Sequence, residues 1–87
     1  MANIASQEKR ILRTERERLE NRRRTSQVKT WFRRLEQAVA DGDAARADEE
    51  YRSLISRVDK AASAGAIHRN NAARKKSRAA RTRARLS

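Results

Sequence analysis

Apolar residues recur along this chain with the period of a helix, and the pattern is strongest in the middle. Val28, Trp31, Phe32, Leu35 and Val39 follow i, i+3, i+4, i+7 and i+11, which places them on one stripe of a helix. Ala47, Tyr51, Leu54, Ile55, Val58, Ala61 and Ala62 make a second stripe of the same kind. A third, thin seam of small residues runs through Ala66, Ala73, Ser77, Ala80 and Ala84. The first two stripes are expected to face each other and form the core, with Trp31, Phe32 and Tyr51 inside it. Small residues let the third helix lie close while giving little apolar area.

Punctuation along the chain divides these stripes. There is no proline, and the only glycines are Gly42 and Gly65. Few β-branched residues interrupt the pattern, so it predicts helices over about 6–40, 43–64 and 67–86. Gly42 and Gly65 are expected just past helix C-termini, where a left-handed residue is needed. Asp43 stands where it can cap the second helix. Short connections favour antiparallel neighbours, so the expected fold class is all-α, a three-helix bundle forming a single domain over 1–87. Upstream of Val28 the stripe fades to Ile4, Ile11, Leu12 and Leu19. A first helix of about 50 Å outruns the second, so its N-terminal half is expected to project as an arm with few protein contacts.

Composition sharpens this picture. With 37% hydrophobic and 3% aromatic residues in an 87-residue chain, the core is small and marginal without a partner. No cysteine is present, so neither disulfides nor thiolate metal sites are available. No apolar run is long enough for a spanning helix or a signal peptide, which makes the cytosol the expected location. Charge is the dominant feature. Lys and Arg number 23 against 11 Asp and Glu, a net charge of +12. Residues 41–60 are mildly acidic, with 4 basic and 6 acidic side chains, while 61–87 carry 8 basic and none acidic. Such a balance points to a polyanionic partner. Disorder of the isolated basic ends is the bland alternative that such a composition sets against the helical reading.

The basic residues have a pattern. Arg74, Arg78, Arg81 and Arg85 recur at i, i+4, i+7 and i+11, on an arc about a quarter-turn from the expected alanine seam. Lys76 and Arg83 flank that seam on its other side, and Arg69 and Lys75 complete the set of eight. Like charges four apart repel, so phosphates are their expected partners. Lys9, Arg10, Arg13, Arg16, Arg18 and the triplet Arg22, Arg23 and Arg24 make the arm basic as well. There Glu15, Glu17 and Glu20 can pair along the helix, for example Glu20 with Arg16, which leaves the triplet as the arm's strongest candidate. His68 is the only histidine and has no companion for zinc. No catalytic arrangement can be built. Asp43, Asp48, Glu49, Glu50 and Asp59 read as a solvated or salt-bridged face. No enzyme, cofactor, metal site or small-molecule substrate is expected, and few protein contacts.

Among polyanions, a membrane surface calls for large apolar residues opposite the charges, and the third helix offers Ala and Ser. A zipper preceded by a basic region needs sustained heptads, which Asp41-Gly42-Asp43 cuts short. No compact recognition helix stands out either. Structured RNA remains, read through backbone charge and shape, with a general nucleoid-type DNA binder as the alternative.

The chain resembles the bacterial small-ribosomal-subunit protein family numbered twenty in the conventional series. Met1-Ala2-Asn3-Ile4 with Ser6 and Lys9-Arg10 is similar to that family's N-terminal signature. More specific are Asp59-Lys60-Ala61-Ala62, Gly65-Ala66-Ile67-His68-Arg69-Asn70 and Ala72-Ala73-Arg74-Lys75-Lys76-Ser77-Arg78. Ala5, Gln7, Glu8, Arg69, Asn71 and Ala79 depart from the family's usual residues, and the loss of charge at 5, 7 and 8 removes the first turn from the expected contacts. The resemblance implies a ribosomal, cytoplasmic protein bound directly to 16S ribosomal RNA, at its 5′ domain and the long helix near its 3′ end, and helping assembly. The RNA-binding set it suggests is Lys9, Arg10, Arg13, Arg16, Arg22, Arg23, Arg24, His68, Arg69, Asn70, Arg74, Lys75, Lys76, Arg78, Arg81, Arg83 and Arg85.

Overall fold

The structure is a computed structural model that describes residues 3–86; Met1 and Ala2 of the N-terminal signature lie outside them. Three helices follow in order: α1 (Asn3–Ala40), α2 (Ala44–Ser63) and α3 (Arg69–Ala84), with no strand among the described residues. The all-α, three-helix expectation holds, and the boundaries fall close to their expected places.

Both glycines end a helix in the same way. Gly42 and Gly65 have φ of 69° and 78°, a conformation that side chains disfavour. After α1, the Gly42 N–H donates to Val39 O at 3.0 Å and the Asp43 N–H to Ala38 O at 3.1 Å. After α2, Gly65 donates to Ala62 O at 3.1 Å and Ala66 to Ala61 O at 2.8 Å. These paired bonds satisfy carbonyls that the helix end would otherwise leave open. At the next N-terminus, the Asp43 carboxylate accepts from the Arg46 N–H at 3.1 Å, the cap expected from sequence.

α1 and α2 pack through one short seam. Val28, Phe32, Leu35 and Ala38 are buried against Ala47, Leu54, Val58 and Ala61. Leu35 and Leu54 have no exposed surface at all. Trp31, Val39, Tyr51, Ile55 and Ala62 pack on the margin of this core, half-buried. Trp31 and Tyr51 were expected inside; only Phe32 among the aromatics is. A helical stripe broader than the seam leaves its outer members at the edge, where large amphipathic rings are tolerated.

α3 docks one residue out of the expected phase. Its buried residues are Ala72, Ala79 and Thr82, whereas Ala73, Ser77, Ala80 and Ala84 are exposed. Ala66 alone of the expected seam packs on the core. The doublets Ala72-Ala73 and Ala79-Ala80 offer one alanine to each phase at both positions. The observed one brings Leu86 in line with Ala72 and Ala79, so the end of the helix also meets the core. The Thr82 hydroxyl donates to Arg78 O at 2.9 Å, which satisfies it on burial.

The long dimension of the protein is 64 Å, against 21 and 13 Å across. A 38-residue helix accounts for about 57 Å of this at 1.5 Å per residue. Residues 4–20 are exposed throughout, including Ile4, Ile11, Leu12 and Leu19. The arm therefore projects as expected.

Leu54→Ala is expected to cost about 2–5 kcal/mol in urea unfolding, as for other buried leucines. The seam phase has its own test: Ala79→Leu should overpack and cost about 1–3 kcal/mol. Ala80→Leu, one residue on, should stay within about 0.5 kcal/mol of the parent. Equal effects at both positions would rule out the docking phase of α3.

Candidate nucleic-acid interface

The eight cations of the C-terminal segment divide by what they meet. Lys76 pairs with Asp59 of α2, Arg83 Nε with the Asp48 carboxylate of α2, and Arg78 with Glu36 of α1 at 3.6 Å. Arg78 also lies over the Phe32 ring, 5.0 Å from its centroid. Lys76 and Arg83 thus hold α3 to α2, and Arg78 holds it to α1. The expectation that phosphates alone compensate this segment is corrected: three of its charges meet carboxylates supplied by other helices. Arg69, Arg74, Lys75, Arg81 and Arg85 form no ion pair among the described residues.

A groove runs between α1 and α3. It consists of two clefts of about 290 and 390 Å³ that share Glu36 and Arg78. Lys29, Arg33 and Lys75 line one, with Val28 and Phe32 at its floor, and Arg81 and Arg85 line the other beside Thr82. Six cations therefore face one carboxylate along the groove. Lys29 and Arg33 were absent from the sequence-derived set. Their signal was available: they lie four apart on the Phe32 side of the Val28–Leu35 line, but they were legible as groove residues only once that side was known to meet α3.

His68 and Asn70, two expected RNA contacts, build the α3 N-terminus. His68 is the N-cap, and its Nδ1 accepts from the Asn70 N–H at 3.1 Å. That bond needs an unprotonated Nδ1, which leaves Nε2 as the atom available to a partner. On the arm, Lys9, Arg10, Arg16, Arg22 and Arg23 are exposed. Arg13 pairs with Glu17 at 3.4 Å, one turn from the Arg16 and Glu20 pairing suggested by the alternation. Arg24 is half-buried and donates to the Asn21 side-chain oxygen at 3.0 Å. Of the groove's cations, Lys29 and Arg33 share the long helix α1 with the arm's cations but lie further along it.

Residues 2–84 match the sequence profile of the family described as ribosomal protein S20. The chain belongs to that family. A relative from Frankia casuarinae, named small ribosomal subunit protein bS20, is 51% identical over all of this chain and 98% of its own length. Proteins of the same name from Mycobacteroides abscessus and Bifidobacterium longum subsp. infantis are 49% and 48% identical over 88% of this chain and 90% of theirs. The family match takes in the arm and all of α3, and leaves Arg85 of the C-terminal basic segment just beyond it.

Arg83 holds the Asp48 carboxyl below its ordinary value, chiefly through their hydrogen bond. The bond therefore stabilises the fold where Asp48 is ionised, above the unfolded pKa, and the gain is lost as pH falls through the lower folded value. Arg83 is shifted up by the same bond and stays charged across that range. Asp48→Asn should accordingly lower the melting temperature slightly near neutral pH, and parent and variant should converge in strong acid. A constant difference at every pH would assign the effect to packing instead.

Proposed function

We propose that this protein is a structural constituent of the small ribosomal subunit, acting in the cytoplasmic ribosome and without catalytic activity. It binds 16S ribosomal RNA directly and helps it fold and assemble. The observation that carries the reading is the α1/α3 groove, where Lys29, Arg33, Lys75, Arg78, Arg81 and Arg85 surround the single carboxylate of Glu36. Membership of the ribosomal protein S20 family supports the choice of ribosomal RNA as the polyanion.

The mechanism follows from charge and shape. Phosphates of a folded RNA approach the groove, displace counterions, and complete the compensation that protein carboxylates leave unfinished. The arm, with Arg22 and Arg23 exposed near its base, enters a cleft between RNA helices and gains there the neighbours it lacks in the free protein. Neutralised phosphates repel less, so RNA segments pack closer. The 5′ domain and the long helix near the 3′ end of 16S ribosomal RNA are the regions assigned to these contacts.

Footprinting of protein-free small-subunit ribosomal RNA, with excess duplex DNA as competitor, should give discrete protected patches that survive the competitor. Diffuse protection erased by DNA would leave a general nucleoid-type binder. With about six to ten phosphates contacted, affinity should fall roughly 10³- to 10⁵-fold between 50 and 200 mM salt. Replacing Lys75, Arg81 and Arg85 together by Gln should weaken binding strongly while helicity by circular dichroism stays unchanged. Undiminished binding would move the contact surface away from the groove.

A further inference from the structure

The bundle has a second flank that carries cations, on the side away from α3. On α1, Phe32 and Glu36 turn toward α3, and Trp31 and Arg34 lie on the other flank of the Val28–Leu35 line. On α2, Asp48 and Asp59 turn toward α3, and helical periodicity puts Arg57 and Lys60 on the other flank of the Leu54–Ala61 line. Trp31 and Arg57 meet across this flank, with the guanidinium carbon 3.5 Å from the ring centroid. Arg34 approaches the same ring at 4.9 Å.

The two arginines differ in one respect. Arg34 is neutralised by Glu50 at 3.3 Å. Arg57 forms no ion pair among the described residues. Its Nε is buried without an acceptor, and its Nη1 makes only a long 3.4 Å bond to Ser53 O. An aliphatic side chain would cover Trp31 without stranding a donor, so packing alone does not account for the charge. What the ring supplies is position: stacking fixes a half-buried planar fork whose one terminal bond among the described residues is the long one from Nη1 to Ser53 O. A fork fixed in advance loses little freedom on meeting phosphate oxygens. Lys60, exposed three residues further along α2, extends the positive surface in the same direction.

We propose that Arg57, held over Trp31, is a phosphate-binding residue, and that the α1/α2 face is a second RNA contact separate from the α1/α3 groove. The inference rests on the RNA-binding reading above and adds a site to it. Arg57→Met keeps cover over Trp31 and removes the charge; Arg57→Lys keeps the charge and loses the fork. Both full-length variants and the parent are titrated with protein-free small-subunit ribosomal RNA at several salt concentrations. Trp31, the only tryptophan, serves as a fluorescent reporter of the site. For Arg57→Met, affinity should drop about tenfold near 100 mM salt, and the magnitude of the log–log salt slope should fall by about 0.7–0.9, one phosphate's share. Arg57→Lys should keep the parent's slope, and one protected patch should vanish from the Arg57→Met footprint while the others persist. In the parent, Trp31 emission should change on RNA binding. If Arg57→Met matches the parent in slope, affinity and footprint, this inference is wrong and the groove reading stands. If the parent protects no discrete patch, both fall together.

Discussion

Everything in this protein hangs on one short apolar seam. Val28, Phe32, Leu35 and Ala38 of α1 close on Ala47, Leu54, Val58 and Ala61 of α2, and there is no other contact of comparable size in the bundle. α3 adds only Ala72, Ala79 and Thr82 to the buried set, with Leu86 and Ile67 at the margins. Its small residues permit close approach but remove little apolar surface from water. The rest of its attachment is electrostatic, through Asp59, Asp48 and Glu36. Exposed pairs of that kind contribute little individually. α3 is therefore held well enough to be oriented, by a bundle with little stability to spare.

That modest attachment suits the proposed role. The carboxylates that dock α3 set the direction of its remaining cations, which line the groove with Lys29 and Arg33. A larger set of acidic partners would fix the helix more firmly and also cancel the field that attracts phosphate. The arm shows the same economy. Residues 4–20 are exposed throughout, so their order depends on helix propensity, on local pairs such as Arg13 with Glu17, and on whatever they meet. Its exposed Ile11, Leu12 and Leu19 join apolar area to charge on one surface.

The helices, their ends and the sign of the surface were legible in the chain's local pattern. Period, absence of proline and two glycines are local properties, and local hydrogen bonding enforces them: Gly42 and Gly65 take the positive φ that closes each helix end, and Asp43 caps α2. The same pattern also made the arm legible, because a stripe that fades before Val28 has nothing to pack on. Which face of α3 is buried depends on packing across the bundle, since Ala72-Ala73 and Ala79-Ala80 offer two similar phases until Leu86 and the ion pairs choose between them. That packing decided as well that Trp31 sits at a margin under Arg57, and that Lys76, Arg78 and Arg83 have carboxylate partners. Those partners lie far away in sequence, on other helices, and charge counted along one helix cannot see across a seam.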